Sequence, residues 1–203
     1  MSKKPIIVFE GIEGTGKSHH INNVAKYLKK KNRKFLQIRE PGGSKNSEII
    51  RKLILNNKST FNRYTDLLLY LSARSENIEL IRKNIGKTII LIDRFSDSTI
   101  AYQHYGMGID LKFIKNINNF LLKDIDIDFI FLNTVNQKNM KKRLIKRKNL
   151  NRYDKFNYNF YNKVQKGFLK ILRKNKKKYL KIDSNLSIKH NEKLILNKID
   201  DLI

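Results

Sequence analysis

Residues 11–18, GIEGTGKS, restrict what this chain can fold into more than any other stretch of its sequence. The apolar residues 6–9 precede them, and four consecutive β-forming side chains predict a buried strand. From Ile21 to Leu28, apolar residues recur at three- and four-residue steps, which predicts a helix. A glycine-rich turn between a strand and a helix N-terminus binds anions, because unpaired N–H groups and the helix dipole face it.

The spacing in this turn is G-x-x-x-x-G-K-[ST], the phosphate-binding loop. Gly14 and Gly16 let the backbone amides curl around a phosphate, Lys17 reaches the β and γ oxygens, and the Ser18 hydroxyl is offered to Mg²⁺. The alternative is a glycine-rich turn with a solvated lysine, but the strand–loop–helix context favours nucleoside triphosphate binding. The predicted ATP-binding residues are Gly11, Ile12, Glu13, Gly14, Thr15, Gly16, Lys17 and Ser18.

Length and composition limit the protein class. A chain of 203 residues with 40% hydrophobic content suits one domain with a sizeable core. The absence of cysteine excludes disulfides and thiolate metal sites. No apolar run approaches the roughly 18 residues of a membrane span, and residues 6–9 are too few for the apolar core of a signal peptide, which has about 7–15 residues. We therefore expect a cytoplasmic protein that does not cross a membrane.

The net charge of +26 is concentrated in one part of the chain. Residues 134–181 contain 18 Lys and Arg against a single acid, Asp154. Apolar residues at helical spacing, including Tyr161, Val164 and Phe168, predict that many of these basic side chains lie on the solvated face of an amphipathic helix. Such a surface steers polyanionic nucleotides towards a cleft, and nucleic acid is not the expected partner.

Short apolar strands alternate with helical patterns along the chain. This alternation predicts an α/β fold with a parallel sheet covered on both faces. Further strands are predicted at residues 35–39, 88–92, 129–132 and 179–182. Further helices are predicted at residues 47–55, 64–84, 111–122, 137–148, 158–175 and 190–202.

Polar residues follow the predicted strands, at the edge of the sheet where ligands gather. Asp93 comes directly after an apolar strand and is placed to hold Mg²⁺, directly or through water. Arg94 is able to bridge donor and acceptor phosphates with its forked N–H groups. The alternative for this pair is a surface ion pair.

Longer motifs follow one another along the chain in this order: FEGIEGTGKS, REPGGS, IIRKLIL, LLLYLSARSENIE, IDRFSDSTIAYQHYGMGID and NRYD. Together they give the chain a resemblance to the bacterial thymidylate kinase family. The resemblance implies the three-layer P-loop NTPase fold, with a five-stranded parallel sheet flanked by helices, as one domain over residues 1–203. It also implies transfer of the γ-phosphoryl group of MgATP to dTMP, giving dTDP and ADP for dTTP synthesis, by a homodimer.

The resemblance assigns an acceptor site. Tyr70 matches the aromatic residue that stacks on thymine, and Arg74 matches the arginine that recognises a base-edge carbonyl. Their four-residue step puts both on one helix face, and Arg74 on this apolar helix needs a partner. The alternative for Tyr70 is core packing. The other matches are Arg51 and Arg94 at the dTMP phosphate, Thr99 and Gln103 near the base, Tyr102 under the sugar, Glu13 at the acceptor nucleotide and Pro41 in the thymine pocket.

The phosphate loop contains no arginine, so the resemblance is to the type in which a lid supplies one. The lid is expected at residues 143–157 and offers Arg143, Arg147 and Arg152, of which Arg147 aligns best. Asn151 and Asp154 depart from the commoner DR-x-E pattern, which leaves their roles open. The predicted catalytic residues are Lys17, Asp93, Arg94 and Arg147, with Ser18 and Asp93 at Mg²⁺.

Other functions remain open at this point. A related kinase would prefer dUMP, dCMP or a deoxynucleoside as acceptor. A nucleic-acid-stimulated ATPase would agree with the basic helices, but it requires a second strand-end acid and a catalytic glutamate, where this chain has Asn133. The sequence also leaves open whether the Glu40–Pro41 peptide bond is cis.

Overall fold

The computed structural model describes residues 4–147 and 150–203. Five parallel strands form one sheet in the order β2-β3-β1-β4-β5. The strands are β1 (Ile6–Glu10), β2 (Phe35–Arg39), β3 (Ile89–Asp93), β4 (Phe129–Thr134) and β5 (Tyr179–Asp183). The predicted α/β class and all five predicted strands are confirmed.

Eight α-helices connect or flank the strands within the described residues. They are α1 (Lys17–Lys30), α2 (Lys45–Leu55), α3 (Arg63–Asn84), α4 (Ser96–Thr99), α5 (Leu111–Leu121), α6 (Gln137–Ile145), α7 (Tyr158–Lys174) and α8 (Ile188–Leu202). A π-helix (Ile100–Gly106) continues α4, and two 3₁₀ helices (Arg152–Lys155 and Lys176–Lys178) precede α7 and β5. Within residues 4–147 and 150–203 no helix is both long and apolar enough to cross a membrane.

The core has a layer on each side of the sheet. In β1, Ile7 and Phe9 pack towards α1 and α8, whereas Ile6 and Val8 pack towards α3. Successive side chains of a strand point to opposite faces, so an unbroken apolar strand such as β1 is buried on both sides. The sheet is therefore the middle of three layers.

Short polar side chains mark where most helices begin. Asn62 accepts hydrogen bonds from the backbone N–H groups of Tyr64 and Thr65, both at 3.0 Å, at the start of α3. Such contacts satisfy N–H groups that have no partner inside the helix. Ser44, Asp110, Asn136, Asn157 and Ser187 do the same for α2, α5, α6, α7 and α8.

Several segments differ from the sequence-based expectation, among them α4 and both 3₁₀ helices, which were not predicted. Helix α6 ends at Ile145, before the predicted 148, because the Arg147 N–H donates to the Leu144 carbonyl in a tighter turn; Lys148 lies outside the described residues. The π-helix was not predicted, since its Met107 N–H to Tyr102 O bond has a five-residue step that α-helical periodicity does not reveal.

The register of the strands brings the predicted site residues to one edge. Phe9 and Arg39 are both paired with Asp93, so the carboxyl ends of β1, β2 and β3 lie side by side. The phosphate loop, the REPGG turn and the Asp93-Arg94 pair start from these three ends. The fold thus joins three motifs that are separated in sequence by about 30 to 50 residues.

Candidate active site

A cleft of about 590 Å³ lies at this edge of the sheet. It is lined by the phosphate loop, the turn after β2, one face of α3, the segment after β3 and the expected lid. The predicted residues that line it are Glu13, Gly14, Thr15, Gly16, Lys17, Ser18, Pro41, Arg51, Tyr70, Arg74, Asp93, Arg94, Thr99, Tyr102, Gln103, Arg143 and Arg147. Gly11, Ile12 and Arg152 are not among the lining residues.

Gly11 and Ile12 support the phosphate loop from behind. Gly11 has φ 134°, and a Cβ there would lie 2.2 Å from the Asn133 carbonyl oxygen, so only glycine allows β1 to turn so close to β4. Ile12 is buried in a core cluster with Leu132 and Met140. Both residues therefore shape the loop through packing and backbone geometry.

Lys17 is almost completely buried at the first position of α1. Its Nζ donates to the carbonyl oxygens of Gly11, at 2.8 Å, and Ile12, at 2.9 Å. Burial, helped by the positive charge of Arg94, lowers the pKa of Lys17 to about 8. The loop therefore holds a cation that gains from a nearby anion, as expected of a site for a polyphosphate.

Ser18 and Asp93 meet at the mouth of the loop. The Ser18 hydroxyl donates to Asp93 Oδ2 at 3.0 Å, while Asp93 Oδ1 is buried and has no hydrogen-bond partner within the described residues. Oxygen atoms of this kind are the ligands that Mg²⁺ prefers. No group of three or more His, Cys, Asp or Glu with metal-binding geometry occurs in the described residues. These two residues fit a Mg²⁺ that takes its remaining ligands from phosphate and water.

Arg94, Glu13 and Tyr102 form a linked group beside the loop. Arg94 has a left-handed φ of 68°, and its Nη2 donates to Glu13 Oε1 at 2.7 Å. The Tyr102 hydroxyl donates to the other oxygen of Glu13, and its ring lies 5.2 Å from the guanidinium carbon of Arg94. Burial alone would raise the pKa of Glu13, but Arg94 and Lys17 together lower it. Glu13 is therefore an ionised acceptor of hydrogen bonds.

Arg74 has the buried partner that its sequence position requires. Its Nε and Nη2 donate to Glu40 Oε2 at 2.9 and 2.7 Å, and its Nη1 donates to Asn118 Oδ1 at 2.7 Å. Its guanidinium lies 5.1 Å above the Phe95 ring. Burial raises the pKa of Glu40 although Arg74 opposes this. The Glu40–Pro41 peptide bond is cis, which answers the question that the sequence left open.

The far end of the cleft is walled by aromatic and polar side chains. Tyr70 lines the cleft while also packing against a core cluster, and it meets the edge of Tyr153 at 5.9 Å. Gln103 is 1% exposed, and its Nε2 has no hydrogen-bond partner within the described residues. Arg51 Nη1 donates to the Pro41 carbonyl, and burial together with Arg39 lowers its pKa. This end offers a flat apolar surface beside unsatisfied polar groups.

The three lid arginines have different surroundings. Arg143 donates to the carbonyls of Gly14, at 2.8 Å, and Ser184, at 2.6 Å. The exposed side chain of Arg147 reaches the cleft and donates to Asp154 at 2.6 Å. Arg152 instead turns away to α2 and α3. Lys148 and Asn149, inside the expected lid, lie outside the described residues.

Several lining residues were missed by the sequence reasoning. Glu40, Phe95, Ser98 and Tyr153 all contribute to the cleft. Glu40 could have been found, since a buried arginine needs a carboxylate and REPGG supplies one beside Pro41. No local signal identified the other three, because their places depend on how α4 and the segment before α7 fold back over the sheet.

Glu10, at the end of β1, was also missed and holds the turn after β3. Its Oε1 accepts from the backbone N–H groups of Phe95, at 2.9 Å, and Ser98, at 3.1 Å, and its Oε2 accepts from the Ser98 hydroxyl at 2.5 Å. The side chain is fully buried, and desolvation, aided by the nearby charge of Asp97, raises its pKa to about 8. Glu10 therefore fixes the chain that presents Arg94.

Known proteins resemble this chain over almost all of its length. A family model described as thymidylate kinase matches residues 9–195. Curated proteins named thymidylate kinase include those of Thermosipho africanus, 40% identical over 81% of this chain and 83% of the relative, and Sulfurihydrogenibium sp., 35% identical over 95% of each. The crystal structure of a thymidylate kinase from Ehrlichia chaffeensis matches with a TM-score of 0.78 and 28% identity, over 98% of this chain and 99% of that chain.

The buried Glu10 carboxyl predicts a pH-dependent stability. Since its folded pKa of about 8 lies above the unfolded value of 4.5, the folded state keeps a proton that the unfolded state loses. The free energy of unfolding of the wild type should fall between pH 4.5 and 8, by roughly 2–5 kcal/mol relative to Glu10→Gln. Urea denaturation across this range measures the difference. Glu76→Gln, at an exposed position, should follow the wild type, and parallel profiles for wild type and Glu10→Gln would contradict the assignment.

Proposed function

The chain belongs to the thymidylate kinase family, and on this premise we propose that it transfers the γ-phosphoryl group of MgATP to dTMP, giving dTDP and ADP for dTTP synthesis. One observation supports this above the others. The phosphate loop and the Tyr70–Arg74 face of α3 line the same cleft, with Arg94 among the residues between them. A single cavity of this form suits two nucleotides that meet through their phosphates.

The donor triphosphate is proposed to occupy the phosphate loop. Gly14 and Gly16, with φ of 72° and 82°, turn the loop backbone in the way that a close phosphate requires. Lys17 lies beneath, and the Ser18 and Asp93 oxygens would hold Mg²⁺ together with phosphate and water oxygens. When bound, Mg²⁺ would neutralise charge on the β and γ oxygens.

The acceptor is proposed to lie with its base between Tyr70 and the Arg74–Glu40 pair. The two N–H groups that donate to Glu40 Oε2 fix the guanidinium of Arg74, which then points its remaining donor capacity at a base carbonyl. The unpartnered Gln103 Nε2 offers a second donor. Glu13 would accept from a sugar hydroxyl, and the ring of Tyr102 would crowd a ribose 2′-OH. Pro41 and Thr99 would complete the pocket wall.

The transfer itself needs no general base. A phosphate monoester has a second pKa of about 6, so an oxygen of dTMP is already a nucleophile at pH 7. That oxygen forms a bond to the γ phosphorus as the bond to the β–γ bridging oxygen breaks, and the electron pair leaves with ADP. The protein holds two polyanions in line and spreads the charge of a loose transition state. Lys17, Arg51 and Arg94 surround this point with positive charge.

Arg147 is proposed to supply the lid's positive charge during transfer. Arg143 and Arg147 both line the cleft, and of these two it is Arg147 that donates, within the described residues, to a side chain, Asp154. The contacts of Arg143 to two backbone carbonyls suit a residue that supports the phosphate loop. The proposed lid spans residues 143–157 of a single kinase domain, 1–203.

We also propose that the protein is a homodimer in the cytoplasm. Helices α3 and α5 pack together through Leu67, Leu71 and Ile114, yet their outer faces expose large apolar side chains. Exposed apolar side chains on two packed helices favour contact with a second copy. The exposed residues are Tyr64, Leu68, Phe113 and Phe120, the last with 78% exposure.

Acceptor preference is the first test of the function. In a coupled ADP-release assay, dTMP should give the highest kcat/KM, and dUMP, which lacks one methyl group, a value about 10–200-fold lower. dCMP and thymidine should be poorer acceptors still, because one changes the base edge and the other lacks the phosphate nucleophile. ADP release that needs no monophosphate and is stimulated by DNA or RNA would favour the ATPase alternative and contradict the proposal.

Removing the lid charge tests the role of Arg147. Arg147→Ala should lower kcat by on the order of 10³-fold. In comparable reactions an arginine that stabilises the transition state raises kcat by roughly 10³–10⁵-fold. The KM for dTMP should change by less than about threefold, since the acceptor pocket is left intact. Lys146→Ala, the exposed neighbour, is the control and should keep wild-type turnover. Wild-type turnover from Arg147→Ala would transfer the role to Arg143 or Arg152.

The dimer is tested by placing a charge on the exposed face. Leu68→Glu should convert a dimer into a monomer of 24.1 kDa in sedimentation velocity, because a buried unpaired carboxylate is unfavourable. Ile188→Glu, at a similarly exposed site on α8, is the control and should remain dimeric. A monomeric wild type would contradict the proposal.

A further inference from the structure

Two consecutive residues of the lid segment are tied to one carboxylate on α3. Asp66 is 3% exposed; its Oδ1 pairs with Arg152 Nη2, and its Oδ2 accepts from the Tyr153 hydroxyl at 2.9 Å. Arg152 Nε also donates to the Ile54 carbonyl, in the last turn of α2, where a carbonyl has no partner inside the helix. The 3₁₀ helix that contains both residues is thus fastened to α2 and α3.

The same carboxylate lies next to the acceptor pocket. Asp66 precedes Tyr70 by four residues, so both project from one face of α3. The ring of Tyr153, held by its hydroxyl on Asp66, meets Tyr70 edge-on at 5.9 Å and Tyr102 at 6.2 Å. Asp66 therefore fixes a ring that forms part of the wall beside Tyr70.

The fastened 3₁₀ helix in turn holds Arg147. The Asp154 side chain is fully buried; its Oδ2 accepts from the Asn151 N–H at 2.9 Å, and its Oδ1 accepts from Arg147 Nη1 at 2.6 Å. Since Asn151 also caps this short helix, the contacts of Asp154 join Arg147 to it. A continuous set of contacts thus runs from Asp66, through the 3₁₀ helix, to the guanidinium of Arg147.

We propose that Asp66 is a positioning residue that holds the lid where Arg147 reaches the reacting phosphates. The proposal rests on the proposed function of the cleft. Asp66 does not line the cleft; it acts because the largely buried Arg152 loses its counter-charge, and one of the two acceptor oxygens shared by Arg152 and Tyr153 is lost, when the carboxylate becomes an amide. Without these contacts the 3₁₀ helix is no longer held against α3. The guanidinium of Arg147, which contacts Asp154 in this helix, is then displaced from the phosphates.

A double-mutant cycle with Arg147 separates positioning from general stability. Asp66→Asn should lower kcat by on the order of 10²-fold, the loss that a displacement of about 1 Å causes. In the Arg147→Ala background the same substitution should change kcat by less than about threefold, because the group that Asp66 positions is gone. A merely structural role would lower kcat equally in both backgrounds, and that result, or an unchanged kcat in the wild-type background, would overturn the proposal.

Two further variants complete the experiment. Asp200→Asn is the matched control, since Asp200 also accepts from a tyrosine hydroxyl, Tyr27, and a cation, Lys31, but on the far side of the molecule; it should keep wild-type kcat. If Asp66→Asn does not fold, Tyr153→Phe removes only the hydroxyl donor, and its smaller loss of kcat should likewise vanish with Arg147→Ala. Turnover of dTMP by the wild-type protein is measured in parallel. Absence of this turnover would contradict the proposed function, whereas normal turnover with additive effects of the two substitutions would contradict only the positioning role of Asp66.

Hydrogen exchange gives a readout that does not depend on turnover. The Asp154 N–H bonds to the Asn151 carbonyl at 3.0 Å inside the 3₁₀ helix. In Asp66→Asn this amide should exchange at least about tenfold faster than in the wild type and in Asp200→Asn. The 3₁₀ helix of the variant can open without first breaking the contacts between Asp66 and the lid segment, so opening is more frequent. Equal exchange in all three proteins would show that Asp66 does not hold the lid, and would overturn the proposal.

Discussion

Arg94 and Glu13 form an ion pair at 2.7 Å in the middle of the cleft, where both side chains are largely removed from water. A charge in such a place is stable only when a partner and additional hydrogen bonds compensate for its lost hydration. The same constraint explains Arg74 with Glu40 and Arg152 with Asp66. In each pair the carboxylate fixes a guanidinium, so three arginines are held in place before any nucleotide binds. Pre-ordered charges of this kind do not have to reorganise during the reaction.

The pairs leave the cleft with an excess of positive charge. Lys17 and Arg51 have pKa values lowered by burial, which means that their charged forms are under-stabilised in the protein alone. Polyphosphate anions would supply the missing partners. The basic surface of α6 and α7 extends this field and is suited to raise the rate of encounter with nucleotides, an effect that weakens as salt increases. Much of the +26 net charge lies in residues 134–181, which include α6 and α7.

Most of the fold could be predicted from the sequence, because apolar strands and helical periodicity are local signals. The phosphate loop was equally local, since strand, glycine spacing, lysine and hydroxyl all occur within about a dozen residues. The proposed acceptor pocket was different. The predicted need of Arg74 for a partner was correct, but the partner, Glu40, is 34 residues away in sequence and meets it only in the folded chain.

Residues that work through other residues were the hardest to find. Glu10 ends a strand that reads as uniformly apolar, and its role depends on backbone N–H groups of Phe95 and Ser98, 85 and 88 residues further along. Asp66 is one of three acids on α3, and its contacts come from the segment before α7. The 3₁₀ helix that meets Asp66 has no simple periodicity in the sequence. Local patterns therefore identified the groups that line the cleft better than the groups that hold them.

The central claim is that two nucleotides bind in one cleft with their phosphates facing each other. A crystal structure of the protein with dTMP and a non-hydrolysable ATP analogue tests this most directly. The account predicts the thymine ring beside Tyr70 and Arg74, the triphosphate inside the loop of residues 11–18, and the acceptor phosphate next to Arg94, in line with the γ phosphorus. A pyrimidine bound outside this cleft, or a triphosphate bound away from the loop, would contradict it.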